Sequence, residues 1–152
     1  MNKTLIIGIG SILRADDGIG IKAVEELEKQ KNLPQEITLE AADVSGLDLL
    51  KIFKGYKKII IIDAADMKMQ PGTIKILKPA DIKEAVFNDK FSTHGLGLLE
   101  TLTLADKLDI KADIDIVAIE PYDTSYGLEL SQEMRNKMPD IIDAVKKLLK
   151  FR

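Results

Sequence analysis

The sequence predicts an α/β protein with three layers, α/β/α, built on a mostly parallel sheet of roughly five strands with one antiparallel edge strand. Short apolar runs alternate with amphipathic segments of helical period, as in the βαβ units that build a parallel sheet. The run Ile59–Ile62 has no polar alternation, which is typical of a central strand buried on both faces.

Turn residues separate the predicted strands, which are Thr4–Gly8, Glu36–Ala41, Lys58–Asp63, Thr73–Leu77 and Asp113–Glu120. The fourth strand follows the third so closely, through a turn at Pro71 and Gly72, that no helical crossover fits between them. We therefore expect the fourth strand to be an antiparallel neighbour of the third at an edge of the sheet.

Apolar residues of helical period predict four helices, which are Asp17–Lys29, Leu47–Phe53, His94–Lys107 and a last helix from about Met134 to Leu149. Pro139 falls inside the last helix. Proline lacks the backbone N–H that an interior helical position donates. We expect the helix to kink or restart there.

The composition is that of one globular domain over residues 1–152, with 45% hydrophobic and 31% charged residues. A net charge of -3 provides no basic surface for phosphates, so we expect no nucleic-acid and no membrane partner. The absence of cysteine rules out disulfides, thiolate metal sites and cysteine-protease chemistry. We find no signal peptide and no bilayer-spanning segment, and we expect a cytoplasmic monomer.

The loop after the first strand is rich in glycine, with Gly8 and Gly10 before Leu13. It is not a dinucleotide-binding fingerprint, because the third glycine of that motif would fall at Leu13. The glycines allow either a close approach of backbone at the sheet edge or a tight exit from the strand. The spacing does not distinguish these two interpretations.

Carboxylates follow two of the predicted strands. Asp16 and Asp17 begin the first helix, where acids commonly cap free N–H groups, and we assign that role to Asp16. Asp17 borders the crevice in which open α/β sheets bind ligands. Asp63 ends the all-isoleucine strand, where an unpaired carboxylate is costly, whereas Asp66 suits a turn.

His94 is the only histidine of the chain, and a single histidine is more often a surface residue than a ligand. Its position before a predicted helix would bring it to the same edge as Asp17 and Asp63. Two carboxylates and an imidazole carry a formal charge of about -2 that a divalent cation cancels. Oxygen and nitrogen ligands suit Zn or Ni, and three protein ligands leave a position open for catalysis or metal sensing.

Three blocks of sequence carry a resemblance to a known family, namely Gly8–Gly20, Ile61–Asp66 with Pro71–Thr73, and Ser92–Leu98. With these blocks the chain resembles the hydrogenase maturation endopeptidases over nearly its whole length. That family trims the C-terminal tail from the large-subunit precursor of nickel-iron hydrogenases. The resemblance implies a peptidase whose partner is this precursor.

The resemblance also implies roles for particular residues. Asp17, Asp63 and His94 would bind metal, with Asp17 or Asp63 as the catalytic proton acceptor. The metal would be nickel supplied by the substrate, and Zn or Cd could occupy the same position. The family usually has Asn where this chain has Ser11. It often has an acid followed by glycines after the second strand, where this chain has Glu40–Asp43; Glu40 or Asp43 would lie near the substrate.

Two other classes of function use the same residues. A receiver-like signalling domain would bind Mg²⁺ with Asp16, Asp17 and Asp63 and would place Lys78 near a phosphoryl group, but it gives His94 no role. A nickel-sensing binding module would bind the metal without hydrolysis.

Overall fold

The computed structural model describes residues 3–42, 47–88 and 96–150. Five strands form one sheet in the order β2-β1-β3-β5-β4. Their bounds are β1 Thr4–Ile9, β2 Ile37–Ala42, β3 Lys58–Ala64, β4 Ile74–Leu77 and β5 Asp113–Ile119. β2, β1, β3 and β5 run parallel to one another, and β4 is antiparallel to β5 at the edge. This confirms the predicted mostly parallel sheet with one antiparallel edge strand.

Helices cover both faces of the sheet. Their bounds are α1 Ile19–Glu28, α2 Leu47–Phe53, α3 Pro79–Phe87, α4 Leu96–Lys107 and α5 Gln132–Lys150. α1 and α5 pack on one face, and α2, α3 and α4 pack on the other. The three-layer prediction is therefore confirmed. Within the ranges described, no helix combines the length and the apolar character that crossing a membrane requires.

β3 is the centre of this arrangement. Ile59 and Ile61 belong to the core under α2 and α4, whereas Ile60 and Ile62 belong to the core under α1 and α5. All four side chains have 0% exposure, and burying each contributes about 1.5–3 kcal/mol. Because side chains alternate along a strand, Asp63 follows Ile59 and Ile61 on the α2 and α4 face.

The predicted partner of the fourth strand was wrong. β4 pairs with β5, and β5 lies between β3 and β4. β3 is buried on both faces and needs a buried neighbour, and Ile114–Ile119 of β5 is buried throughout. Lys75 and Ile76 of β4 are exposed, which suits an edge strand.

Two helix predictions need correction. The first helix begins at Ile19, and Asp17 lies in the preceding 3₁₀ turn Ala15–Gly18. α3 was not predicted, although Pro79 at its first position and the Asp81 carboxylate that accepts from the Lys78 N–H at 2.8 Å are start signals. α5 continues through Pro139 as one helix, because its buried apolar stripe on the sheet stabilises the helix beyond what one lost hydrogen bond costs. Of the two outcomes expected at Pro139, the restart is therefore wrong and the kink stays a prediction.

Glycines allow α1 to start directly against the sheet. A Cβ atom on Gly20 would lie 2.2 Å from the carbonyl oxygen of Ile62, and one on Gly8 would lie 2.0 Å from the carbonyl oxygen of Gly20. Gly10 has φ +154° and leaves room for the backbone of Asp17, whose oxygen lies 2.1 Å from its ideal Cβ position. Both interpretations of this loop are therefore observed, since backbone approaches closely at Gly8 and Gly10 and the chain leaves β1 through a positive φ at Gly10.

We expect Gly20→Ala to lower the free energy of unfolding by about 3 kcal/mol, because the new methyl group can only be accommodated by moving backbone. Gly127→Ala is the matched control, since no atom lies within 4 Å of its ideal Cβ position. Urea denaturation of both variants measures the difference. Equal stabilities would contradict the close contact between α1 and β3.

A cluster of charges lies at the edge of the sheet where the parallel strands begin, opposite the edge where they end. Lys58 and Lys78 both donate to Asp113 at 2.8 Å, and Lys78 also lies 2.7 Å from Asp115, which pairs with Lys58 as well. The hydrogen bonds from Lys58 and Lys78 lower the pKa of Asp113. Partial burial alone would lower the pKa of Lys78, but its bonds to Asp113 and Asp115 outweigh this and raise it.

The lowered pKa of Asp113 predicts a pH-dependent stability. The ionised carboxylate stabilises the fold above its unfolded pKa of about 3.9, and the contribution is lost as the pH falls through the lower folded pKa. Asp113→Asn should therefore be less stable than the parent at pH 7, by under about 1 kcal/mol because the group is exposed, and the difference should be smaller at pH 3, below the unfolded pKa. Urea denaturation at both pH values tests this, with Asp109→Asn as the control. An equal difference at both pH values would contradict it.

Candidate active site

The strand register brings two acidic segments to one edge of the sheet. Gly8 of β1 is opposite Ile62 of β3, so the loop that follows β1 and the end of β3 lie side by side. Asp17 lies in the 3₁₀ turn after that loop, and Asp63 is the second-last residue of β3. Both candidate residues therefore lie at the carboxyl edge, where open α/β sheets bind ligands.

Asp63 is completely buried, with 0% exposure. It lies on the face covered by α2 and α4, and the residues just before and after it, Ile62 and Ala64, are buried in the opposite core. Transferring a carboxylate from water into such surroundings is costly unless other groups compensate its charge. An apolar residue would fill the position without that cost, so the acid indicates a role beyond packing.

Asp17 is the more accessible of the two acids, with 17% side-chain exposure. Its Oδ2 atom lies 3.9 Å from Nε of Arg14, which precedes the turn. Gly18 occupies the cap position of α1 without a side-chain cap hydrogen bond, so Asp17 does not serve as the N-cap of that helix. Asp17 thus lies beside the guanidinium of Arg14 at the sheet edge.

Asp16 has a different role from the helix cap that its position suggested. The side chain is completely buried and accepts four hydrogen bonds from the segment between β5 and α5. The donors are the backbone N–H groups of Tyr122, Asp123 and Ser131 and the hydroxyl of Ser131, at 2.8–2.9 Å. Asp16 therefore attaches this segment to the turn that carries Asp17.

Glu120 is an acid of this edge that the sequence analysis did not single out. It directly follows β5, is 6% exposed, and accepts from the backbone N–H groups of Met67 at 2.8 Å and Met69 at 3.2 Å. It thereby fixes the loop that leaves β3 just after Asp63. The signal was an acid directly after a buried apolar strand, the same signal that identified Asp63.

Of the other predicted site residues, the structure describes only Glu40. Glu40 is exposed on the edge strand β2, opposite Ile7 of β1, two residues before the strand ends. Asp43 and His94 lie outside the described residues. α4 begins at Leu96, two residues after His94 along the chain, and packs on the face on which Asp63 lies.

The described residues alone do not form a metal site. Within residues 3–42, 47–88 and 96–150, no three His, Cys, Asp or Glu side chains are grouped so that they could hold a metal ion. The predicted site requires His94 as its third member, and His94 lies outside these ranges. The metal site therefore stays a prediction.

Lys78 argues against the receiver-like interpretation. Its ammonium pairs with Asp113 and Asp115 at the edge where the parallel strands begin, and Asp63 lies at the opposite edge. A receiver-like phosphoryl site would need the lysine and the acids on one edge. That alternative is therefore wrong for this fold.

We expect Asp16→Ala to lower the free energy of unfolding by about 3 kcal/mol or more, because several buried donors would lose a charged acceptor. Asp66→Ala is the control, since Asp66 is exposed and accepts a hydrogen bond from the backbone N–H of Lys68 at 3.1 Å. Thermal unfolding measures both variants. A loss no greater than that of the control would contradict the attachment that we assign to Asp16.

Comparison with known proteins identifies the family. The family model HycI, described as hydrogenase maturation protease, matches residues 21–148. The hydrogenase expression/formation protein HupD of Rhizobium leguminosarum bv. viciae is 29% identical over 150 residues, which cover 97% of this chain and 74% of that protein. The hydrogenase 2 maturation protease of Escherichia coli is 35% identical over 102 residues, covering 66% of this chain and 62% of that protein.

Solved structures agree with the sequence comparison. The [NiFe] hydrogenase maturation protease HybD from Thermococcus kodakarensis superposes with a TM-score of 0.77 at 26% identity, covering 96% of this chain and 98% of that one. The hydrogenase maturating endopeptidase HybD from Escherichia coli gives 0.81 at 25% identity, covering 97% and 92%. The chain belongs to the hydrogenase maturation protease family and is a peptidase.

Proposed function

We propose that this protein removes the C-terminal extension of a nickel-loaded nickel-iron hydrogenase large-subunit precursor, as a monomer in the cytoplasm. Asp17, Asp63 and His94 recognise the nickel that the substrate brings. The observation that best supports this proposal is the fully buried Asp63 at the end of the all-isoleucine strand, on the same edge as Asp17. The names of the relatives support the same class of substrate.

The path of the chain supports His94 as the third ligand. α4 ends at Lys107, six residues before β5 begins at Asp113, so the end of the helix lies near the edge at which the parallel strands begin. A helix of 12 residues is about 18 Å long. Its first residue, Leu96, therefore lies toward the carboxyl edge, and His94 precedes it by two positions.

The donor set fits a borderline divalent cation. Two carboxylates and one neutral imidazole offer hard and intermediate donors without sulfur, and this combination suits nickel or zinc, while cadmium can substitute for them. Three protein ligands leave coordination positions for groups of the substrate. Asp17 is partly exposed, at 17%, so of the two carboxylates it is the one that a large substrate can reach.

The chemistry proposed for the chain itself is proton transfer during peptide hydrolysis. Bound nickel would polarise the scissile carbonyl or the attacking water. Asp17 or Asp63 accepts a proton as the water oxygen bonds to the carbonyl carbon. The same carboxyl group then donates that proton to the leaving amine nitrogen as the C–N bond breaks.

We place Glu40 and Asp43 on the substrate side of the site. Glu40 is exposed on β2, the strand next to β1, and the sequence from Glu40 to Asp43 leads out of the carboxyl end of that strand. A precursor tail that crosses the carboxyl edge toward Asp17 would pass this strand end. Contacts there would select the tail without taking part in proton transfer.

Loss of either the carboxylate or the imidazole should abolish processing. We expect Asp63→Asn to slow removal of the tail by at least about 100-fold, which is the scale of a lost proton acceptor. We expect at least about the same loss for His94→Ala, because the nickel that polarises the reacting groups would lose a ligand. Nickel-free precursor should stay uncut with the wild-type protein. Mass spectrometry of the large subunit, mixed with purified protein, measures the product and the released peptide.

Asp66→Asn is the matched control for these variants, because this acid lies three residues from Asp63 but is exposed in the segment that follows β3. It should process the precursor at the wild-type rate. Wild-type rates with His94→Ala would contradict the proposed ligand set. Nickel binding without any shortening of the subunit by the wild-type protein would instead favour a nickel-sensing module.

A further inference from the structure

Four exposed apolar side chains lie on two segments beside Asp17. Ile12 and Leu13 are 46% and 57% exposed in the loop after β1, and Tyr126 and Leu128 are 85% and 68% exposed in the segment between β5 and α5. Together with Arg14 they form what we call the Arg14–Tyr126 surface. Single exposed apolar residues are common, whereas a group of them beside a site often marks an interaction surface.

Backbone hydrogen bonds join the two segments. The N–H of Ala15 donates to the carbonyl of Gly127 at 2.9 Å, and the N–H of Gly127 donates to the carbonyl of Leu13 at 3.0 Å. The N–H of Asp16 donates to the carbonyl of Asp123 at 2.9 Å. These hydrogen bonds fix the backbone that carries the exposed apolar side chains. Binding a partner therefore costs less conformational entropy than it would on two separate loops.

Arg14 connects this surface to the proposed catalytic acid. Its Nε donates to the carbonyl of Thr124 at 3.1 Å, its guanidinium carbon lies 5.2 Å from the centroid of the Tyr126 ring, and Nε is 3.9 Å from Asp17 Oδ2. The side chain is 49% exposed. A guanidinium has five N–H donors, so Arg14 can donate a further hydrogen bond to a partner while it keeps these contacts.

We propose that the Arg14–Tyr126 surface docks the folded body of the protein substrate, with Tyr126 and Leu128 as apolar anchors and Arg14 as the polar one. The proposal rests on the function proposed above and specifies how the precursor is held. The surface is continuous with Asp17 through Arg14, so a precursor whose scissile peptide lies at Asp17 must cover neighbouring residues. Tyrosine and arginine are enriched among residues that dominate protein interfaces.

A binding experiment on an inactive background separates docking from cleavage. Asp63→Asn protein is combined with Tyr126→Ala or Leu128→Ala, and the Kd for nickel-loaded, tail-bearing precursor is measured by fluorescence anisotropy. We expect each second substitution to weaken binding by about tenfold. Tyr126→Phe, which keeps the ring, should stay within about threefold. Leu108→Ala is the control, because Leu108 is 62% exposed beyond the end of α4, away from the carboxyl edge.

Kinetics with Asp63 restored provide the second readout. Tyr126→Ala and Leu128→Ala should raise KM with kcat retained at saturating precursor, since neither side chain takes part in proton transfer.

The docking surface would be overturned if both variants kept the wild-type Kd and KM, or if Leu108→Ala weakened binding equally, while the wild-type protein still cleaved the precursor. Absence of cleavage by the wild type would instead count against the proposed function. A dimer of the free protein that Tyr126→Ala dissociates would assign the surface to a second copy and overturn the proposal.

Discussion

Burial of β3 on both faces constrains the position of everything at the carboxyl edge. Four isoleucines with no exposed surface hold the strand between two helical layers, and the register with β1 and β5 cannot slip by one residue without exchanging the two cores. Asp63 continues the same alternation. Hydrophobic packing over the length of the strand therefore determines the face on which Asp63 lies.

The same edge combines acids of two kinds. Asp16 and Glu120 are buried and satisfy backbone N–H groups of neighbouring loops, so their charge stabilises the shape of the edge. Asp17 and Asp63 belong to the turn and the strand end that those loops surround. Asp16 and Glu120 therefore order the loops around the two acids to which we assign chemistry. This arrangement limits the movement of Asp17 when a large substrate binds.

The sequence was sufficient for the layers, the parallel strands and the two acids at the carboxyl edge, because the all-isoleucine run and the glycine-rich loop have direct physical meanings. It was not sufficient for the partner of β4, since both β3 and β5 are apolar strands that could accept an edge neighbour. The role of Asp16 depends on Ser131 and on residues more than 100 positions away, which local pattern cannot show. α3 was missed although Pro79 and Asp81 signalled its start.

The central claim is that Asp17, Asp63 and His94 present oxygen and nitrogen donors to one divalent ion. X-ray absorption at the nickel edge, on the nickel-saturated protein and on His94→Ala, tests it most directly. The account predicts one imidazole in the wild-type coordination shell, with oxygen donors for the remainder, and loss of the imidazole signal in the variant. A wild-type spectrum without imidazole, or one that His94→Ala leaves unchanged, would contradict it.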